Sequence, residues 1–172
     1  MPVTSGPDGP CSPHPALVSL LTGAVWRLRC RTRRRIFTSS AEVHLLARDG
    51  APAGDPSGDL LAGAVHAPLD HALRVDLAVR TLESLVSPGD AAGEPVTGGA
   101  PSPVRATMIV VRPGPLEFLE HDRDWWRSWL VACDIVGVEP APIYAATRLG
   151  WLDVTGTEPV VVPRVRRTVG SR

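Results

Sequence analysis

A complete β-α-β unit is predicted between residues 105 and 151 from the order of apolar runs and breaks. An apolar run from Met108 to Val111 ends at residues 112–115, where two prolines and a glycine prevent further strand pairing. A helical pattern follows from about Asp122 to Gly137, and a second apolar run covers Ile143–Thr147. Two strands joined by a crossover helix of this length favour parallel pairing and a right-handed connection. We therefore expect the carboxyl ends of both strands at one edge of the sheet.

The N-terminal region shows a change of hydrophobic period. Residues 16–24 fit a short helix with its leucines on one face. From Trp26 to Arg33, apolar or small residues then alternate strictly with arginines, which is typical of a half-buried strand. A helix remains open for this stretch because arginine and leucine are good helix formers. We favour an arginine-rich strand, which places Cys30 on its inward side.

The middle of the chain predicts short strands and one long helix. Strand candidates cover residues 36–38, 41–47 and 60–66, and a turn at residues 48–50 follows the second of them. The helix extends from Asp70 to about Val86, with apolar side chains every three or four residues. The Asp70 carboxylate is suited to capping its first amides.

These elements predict a single α/β domain. It has a mixed sheet, a C-terminal β-α-β unit and two or three main helices. Residues 160–162 supply a last strand, which Pro159 and Pro163 confine to an edge of the sheet. The distribution of glycine and proline divides the chain into a flexible N-terminus, a domain and a tail, namely residues 1–15, residues 16–163 with Gly/Pro-rich loops at 49–63 and 87–103, and residues 164–172.

Composition excludes several classes of chemistry. The formal net charge is zero, so the molecule as a whole is not drawn to nucleic acid or to an anionic membrane. Every basic residue other than histidine is arginine, a style common in proteins of high-GC bacteria. Without lysine, Schiff-base chemistry and a P-loop lysine are excluded. An established catalytic motif such as Gly-x-Ser-x-Gly is also missing, so the sequence leaves open whether the protein is an enzyme.

Metal sites and membrane segments are not predicted either. The three cysteines, at positions 11, 30 and 133, share no metal-ligand spacing. His66 and His71 are five residues apart, which does not align two ligands on one face of a helix. The apolar run at residues 16–26 is shorter than the ~20 residues of a membrane span. We expect a cytoplasmic protein with no cofactor, no metal and no membrane partner.

The arginine-rich strand is the first candidate site. Its outward side chains would form one basic face that follows a phosphate backbone, while Trp26 and Phe37 stack on bases. The alternative is a solvated strand whose arginines protect a sheet edge from aggregation. The proposed polyanion-binding residues are Arg27, Arg29, Arg31 and Arg33.

The second candidate site lies at the carboxyl ends of the β-α-β strands, where ligands of open α/β sheets bind. Arginine forks beside free helix amides suit a phosphate or a carboxylate, and an aromatic side chain can form a wall. The alternative is internal: an arginine pairs with an aspartate and fixes the crossover. The residues concerned are Arg112, Arg148, Asp122, Asp124 and Trp151.

The tryptophans of the crossover helix complete the set of candidates. Trp126 and Trp129 fit the core stripe, whereas Trp125 lies about 100° away and is free to meet a loop or a partner. His121, at the start of this helix, has the chemistry of an acid or base but also of a helix cap. The sequence therefore favours a non-enzymatic binding or regulatory module for a polyanion, such as nucleic acid, or for another protein. The alternative is an enzyme or ligand-binding protein for a phosphorylated or carboxylated small molecule.

Overall fold

The computed structural model describes residues 13–31, 39–53, 69–86, 104–156 and 158–163, and for Arg31 the backbone only. These residues form three helices and a five-stranded mixed sheet, so the α/β class is confirmed. In chain order the elements are α1 (Pro15–Arg31), β1 (Ser40–Leu46), α2 (His71–Val86), β2 (Arg105–Val111), α3 (Glu120–Val136), β3 (Glu139–Ala146), β4 (Gly150–Asp153) and β5 (Val160–Val161).

The predicted β-α-β unit is present as β2, α3 and β3. Strands β2 and β3 are parallel neighbours at the centre of the sheet, and the order across it is β1-β2-β3-β4-β5. The Asp122 carboxylate accepts the Leu119 N–H at 2.9 Å and so caps the start of α3. Gly137, with a φ of 76°, ends the helix in the left-handed conformation that glycine adopts without steric cost. As expected, β5 is a short edge strand, paired with β4 only.

The prediction of an arginine-rich strand is wrong for Trp26–Arg31, because this stretch is the second half of helix α1. The buried side chains of α1 recur every three or four residues straight through it, so the helical period continues where strict alternation predicts a strand. Cys30 is accordingly exposed on the helix and does not point inward. The buried stripe consists of Leu17, Leu21, Val25 and Leu28. Thr32 and Arg33 lie outside the described residues, as do the strand candidates at 36–38 and 60–66.

Alternation along the strands gives the sheet two buried faces. Met108 and Val110 of β2 point to the face covered by α2 and α3, whereas Ile109 and Val111 point to the face covered by α1. The domain therefore has three layers, with helices on both sides of the sheet. This arrangement explains why β2 and β3 are apolar runs with no polar side of their own.

The orientation of α3 corrects the predicted core stripe. Trp125 is buried together with Trp129, whereas Trp126 is only partly buried and Leu130 is exposed. The reason is that α3 packs against α2 as well as the sheet, so its buried arc is wider than one stripe and is rotated toward α2. Trp125 is therefore not free to meet a partner. Among the described residues, no helix combines the length and apolarity needed to cross a bilayer.

Candidate functional site

The Arg112 side chain is fully engaged inside the protein. It is 2% exposed, and its Nε and Nη2 atoms each donate to one carboxylate oxygen of Asp122 at 2.7 Å. The remaining N–H groups donate to backbone carbonyls of the loop before α3, including Pro115 at 3.0 Å and Glu117 at 2.6 Å. Because a guanidinium carries five donors, this network leaves none for a ligand. The structure therefore supports the alternative in which Arg112 pairs with Asp122 inside the protein and fixes the crossover.

The other predicted residues at this end of the sheet are not brought into one cleft. Asp124 pairs with Arg74 of α2 at 3.2 Å. Trp151 is buried on the α1 side, edge-to-face with Tyr144 at 5.9 Å between ring centroids. Arg148 is partly buried, and its carbonyl accepts a hydrogen bond from Arg29. Since the members point to different faces, the proposed anion clamp is not assembled there.

His121 is held as a hydrogen-bond acceptor. The Trp125 indole N–H donates to its Nε2 at 3.2 Å, so the neutral ring carries its proton on Nδ1. Burial lowers the pKa of His121; Asp122 opposes this shift, while the cations Arg74 and Arg112 add to it. The accepted hydrogen bond and the lowered pKa both favour the neutral imidazole, which supports the indole of a core tryptophan.

The arginines of α1 also have internal partners. Arg27 pairs with Glu42 of β1 at 2.8 Å. Arg29 stacks over Trp26 and donates to four backbone carbonyls near the C-terminal strands, the shortest at 2.7 Å to Val162. A polyanion would have to displace these contacts. The Arg31 and Arg33 side chains lie outside the described residues, so polyanion binding through them stays a prediction.

Sequence reasoning missed a polar pair on the α1-side face of β1. His44 is 4% exposed, and its Nε2 lies 3.6 Å from a carboxylate oxygen of Glu42, beyond a hydrogen bond. Burial by itself raises the pKa of Glu42, but His44 and the Arg27 guanidinium outweigh it and hold this pKa below its ordinary value. The spacing of two residues within a predicted strand already places both side chains on one face.

A cavity of about 530 Å³ lies at the opposite end of the parallel strands, where β2 and β3 begin and β1 ends. The chain returns after β1 through a tight turn, in which Gly50 has a φ of 84° and the Ala53 N–H donates to the Leu45 carbonyl. This return forms one wall of the cavity. Its lining residues are Leu45, Leu46, Arg48, Ala53, Val104, Arg105 and Glu139.

The cavity combines an apolar wall with two guanidinium groups. Arg105 and Glu139 face each other across β2 and β3, with 3.1 Å between Nε and Oε1. Arg48 is exposed on the turn and has no ion-pair partner in the described part of the chain. Guanidinium groups bind carboxylates and phosphates through parallel hydrogen bonds. The arrangement is therefore suited to the charged head of a ligand whose remainder is apolar.

Metal and thiol chemistry find no support in the described residues. These residues contain no group of three or more histidine, cysteine or acidic side chains placed to hold a metal ion. His71 shares a hydrogen bond with Ser128 at 2.9 Å, and His66 lies outside the described residues. Cys133 is buried in the core, as predicted, and burial raises the pKa of its thiol to about 12, which disfavours the reactive thiolate.

Comparison with known proteins gives no match to a family model, to a curated protein or to a solved structure. The function proposed below is therefore argued from the geometry and chemistry of the cavity alone.

Proposed function

We propose that the protein is a non-enzymatic binding module for a small amphiphilic anion, held in the cavity lined by Arg48 and Arg105. The observation that carries this proposal is the presence of two guanidinium groups in an otherwise mainly apolar cavity. A volume of about 530 Å³ falls within the ~300–1,000 Å³ typical of small-molecule sites. This takes up the ligand class of the alternative drawn from the sequence, a carboxylated or phosphorylated compound, but moves it to the amino ends of the parallel strands.

The charged lining residues support binding rather than proton transfer. Guanidinium groups stay protonated at all physiological pH values, so Arg48 and Arg105 supply fixed charge and donors but no acid or base. The carboxylate of Glu139 is ion-paired with Arg105. An anionic head that bridges the two arginines would leave its apolar part against Leu45 and Val104, where burial contributes about 25 cal/mol per Å².

The test compares three probes that share one alkyl chain: octanoate, octyl phosphate and octanol. We expect the two anions to bind at least about tenfold more tightly than the alcohol, a difference of about 1.4 kcal/mol. Isothermal titration calorimetry gives the affinities. A thermal shift provides a second readout, since a ligand at a hundredfold excess over its dissociation constant stabilises by about 2.7 kcal/mol.

Two arginine variants locate the binding. Arg48→Gln is expected to remove most of the preference for the anions. The matched control is Arg80→Gln, because Arg80 is 74% exposed on α2 and does not line the cavity. Equal binding of octanol and octanoate would refute the proposal, as would an Arg48→Gln variant that binds octanoate as well as the unaltered protein.

A further inference from the structure

The outward face of α3 carries apolar side chains between two opposite charges. Leu130, Val131 and Ile135 are 37%, 42% and 60% exposed. Arg127 and Asp134 are exposed as well, and neither has an ion-pair partner among the described residues. A hydrophobic patch with a polar rim is typical of a protein interface.

The spacing on this face is symmetric. Arg127 and Asp134 are seven residues apart, which is about 10.5 Å along the helix and nearly two full turns, so both lie on one side of it. The midpoint between them falls between Leu130 and Val131. Along the helix axis, Arg127 therefore lies as far before the point between Leu130 and Val131 as Asp134 lies after it.

We propose that this face is the contact surface of a homodimer, in which two α3 helices run antiparallel about a two-fold axis between Leu130 and Val131. In that arrangement each Arg127 faces Asp134 of the second copy, and the leucines and valines of both copies meet at the axis. An interface with two-fold symmetry uses the same patch on both subunits, so it requires this kind of self-complementarity.

The charges also select the direction of pairing. A parallel, in-register pair would set Arg127 against Arg127 and Asp134 against Asp134, and like charges held together destabilise an interface. The second copy is favoured as the occupant because the chain has zero net charge, so two copies do not repel one another as whole molecules. The area that a single helix face can bury is small for a stable interface, so the dimer should dissociate on dilution.

Sedimentation velocity over a range of concentrations tests the proposal on the full chain. The unaltered protein is expected to shift from monomer to dimer as concentration rises. Arg127→Asp and Asp134→Arg, made separately, should each weaken dimerisation at least about tenfold, because each places like charges opposite one another twice. Far-UV circular dichroism and the melting temperature show whether the fold is unchanged.

Mixing the two single variants tests whether Arg127 of one copy faces Asp134 of the other. In the mixed dimer, each introduced aspartate faces an introduced arginine and each native charge faces its native partner, so association is expected to return. The Arg127→Asp/Asp134→Arg double variant should also dimerise, since both pairs are then reversed together. A fold damaged by either substitution would not produce this rescue.

Charge reversal at an unrelated exposed pair serves as the control. Asp76→Arg and Arg80→Asp alter an ion pair of α2 with side chains 48% and 74% exposed, and we expect them to leave dimerisation unchanged. A monomer at every concentration would overturn the proposal. Single α3 variants that remain dimeric would overturn it too, as would single variants that dissociate and are not rescued by mixing.

Discussion

At the scale of single residues, two arginines of the described chain hold elements of the fold together through hydrogen bonds to groups within the protein. Arg112 joins β2, the following loop and α3 through one guanidinium, which is fully hydrogen-bonded and almost fully buried. Arg29 does the same for the end of α1 and the C-terminal strands. Arg48 differs because it has no ion-pair partner within the described part of the chain. This contrast, rather than the number of arginines, is the reason why we propose the cavity as the place for a ligand.

Removal of Arg112 alone is expected to destabilise the fold. Arg112→Met leaves Asp122 as a buried, unpaired carboxylate and should lower the free energy of unfolding by about 3–5 kcal/mol. Replacing both partners, as in Arg112→Met/Asp122→Asn, should recover part of this loss because no buried charge remains and the Leu119 N–H keeps an acceptor. Urea denaturation of the three proteins measures both effects. A loss below about 1 kcal/mol for the single variant would contradict the role assigned to the pair.

In the proposed binding mode, Glu139 competes with the ligand for Arg105. Glu139→Gln removes the carboxylate that lies 3.1 Å from the Arg105 Nε and lowers the negative charge of the cavity. We expect octanoate to bind about two- to fivefold more tightly, which corresponds to the ~0.5–1 kcal/mol of an exposed ion pair. Calorimetry on the variant measures the change, with octanol as the neutral control. Weaker octanoate binding would instead make Glu139 part of the anion's own support.

His121 gives stability a dependence on pH. Its folded-state pKa lies below the ordinary value of 6.5, so the unfolded chain binds the proton more readily than the folded one. The contribution of His121 is therefore fully present above about pH 6.5 and is lost as pH falls from there toward the folded-state pKa. His121→Gln keeps an acceptor for the Trp125 indole but does not titrate, so its stability should change less over this window. Denaturation at several pH values checks this; parallel profiles would rule it out.

At the scale of elements, the β-α-β unit was predictable because its parts reinforce one another. The apolar runs, the Pro/Gly break after β2 and the glycine that ends α3 all specify the same order. The second half of α1 was not predictable in this way. Alternation from Trp26 fits a strand locally, but burial of Val25 and Leu28 on the sheet continues the helical stripe, and tertiary packing decides. The same reason moved Trp125 into the core, since packing on α2 is not encoded in the α3 pattern.

Attachment of α1 to the last strands depends on Arg29. Arg29→Ala removes a guanidinium that donates to the carbonyls of Arg148 and Val162 at 2.8 Å and 2.7 Å, leaving both acceptors without this donor. We expect the free energy of unfolding to fall by about 1.5–3 kcal/mol. The matched control is Cys30→Ala on the same helix, which is exposed and should change little. Equal unfolding midpoints for the two variants would show that the Arg29 contacts carry no net stability.

At the scale of the whole molecule, the two ends of the parallel strands differ. The loop held by Arg112 follows the carboxyl end of β2, whereas the cavity lies at the amino ends. Sequence reasoning placed a site at the carboxyl ends because ligands of open sheets bind there as a rule. The proposed site depends on the register that sets Leu46 opposite Arg105 and Arg105 opposite Glu139. These residues come from three separate segments, so only the folded sheet brings them together.

The contacts of Arg29 have a consequence for biosynthesis. They join a helix near the start of the chain to carbonyls 119 to 134 residues later. On the ribosome, α1 therefore emerges long before the strands on which it packs. Its apolar stripe can be buried only after β2, β3 and β4 have been synthesised. Contacts so distant along the chain slow folding because a large loop must close first. Helix α1 is thus translated before the strands on which it packs, and it reaches its native environment only after they have been made.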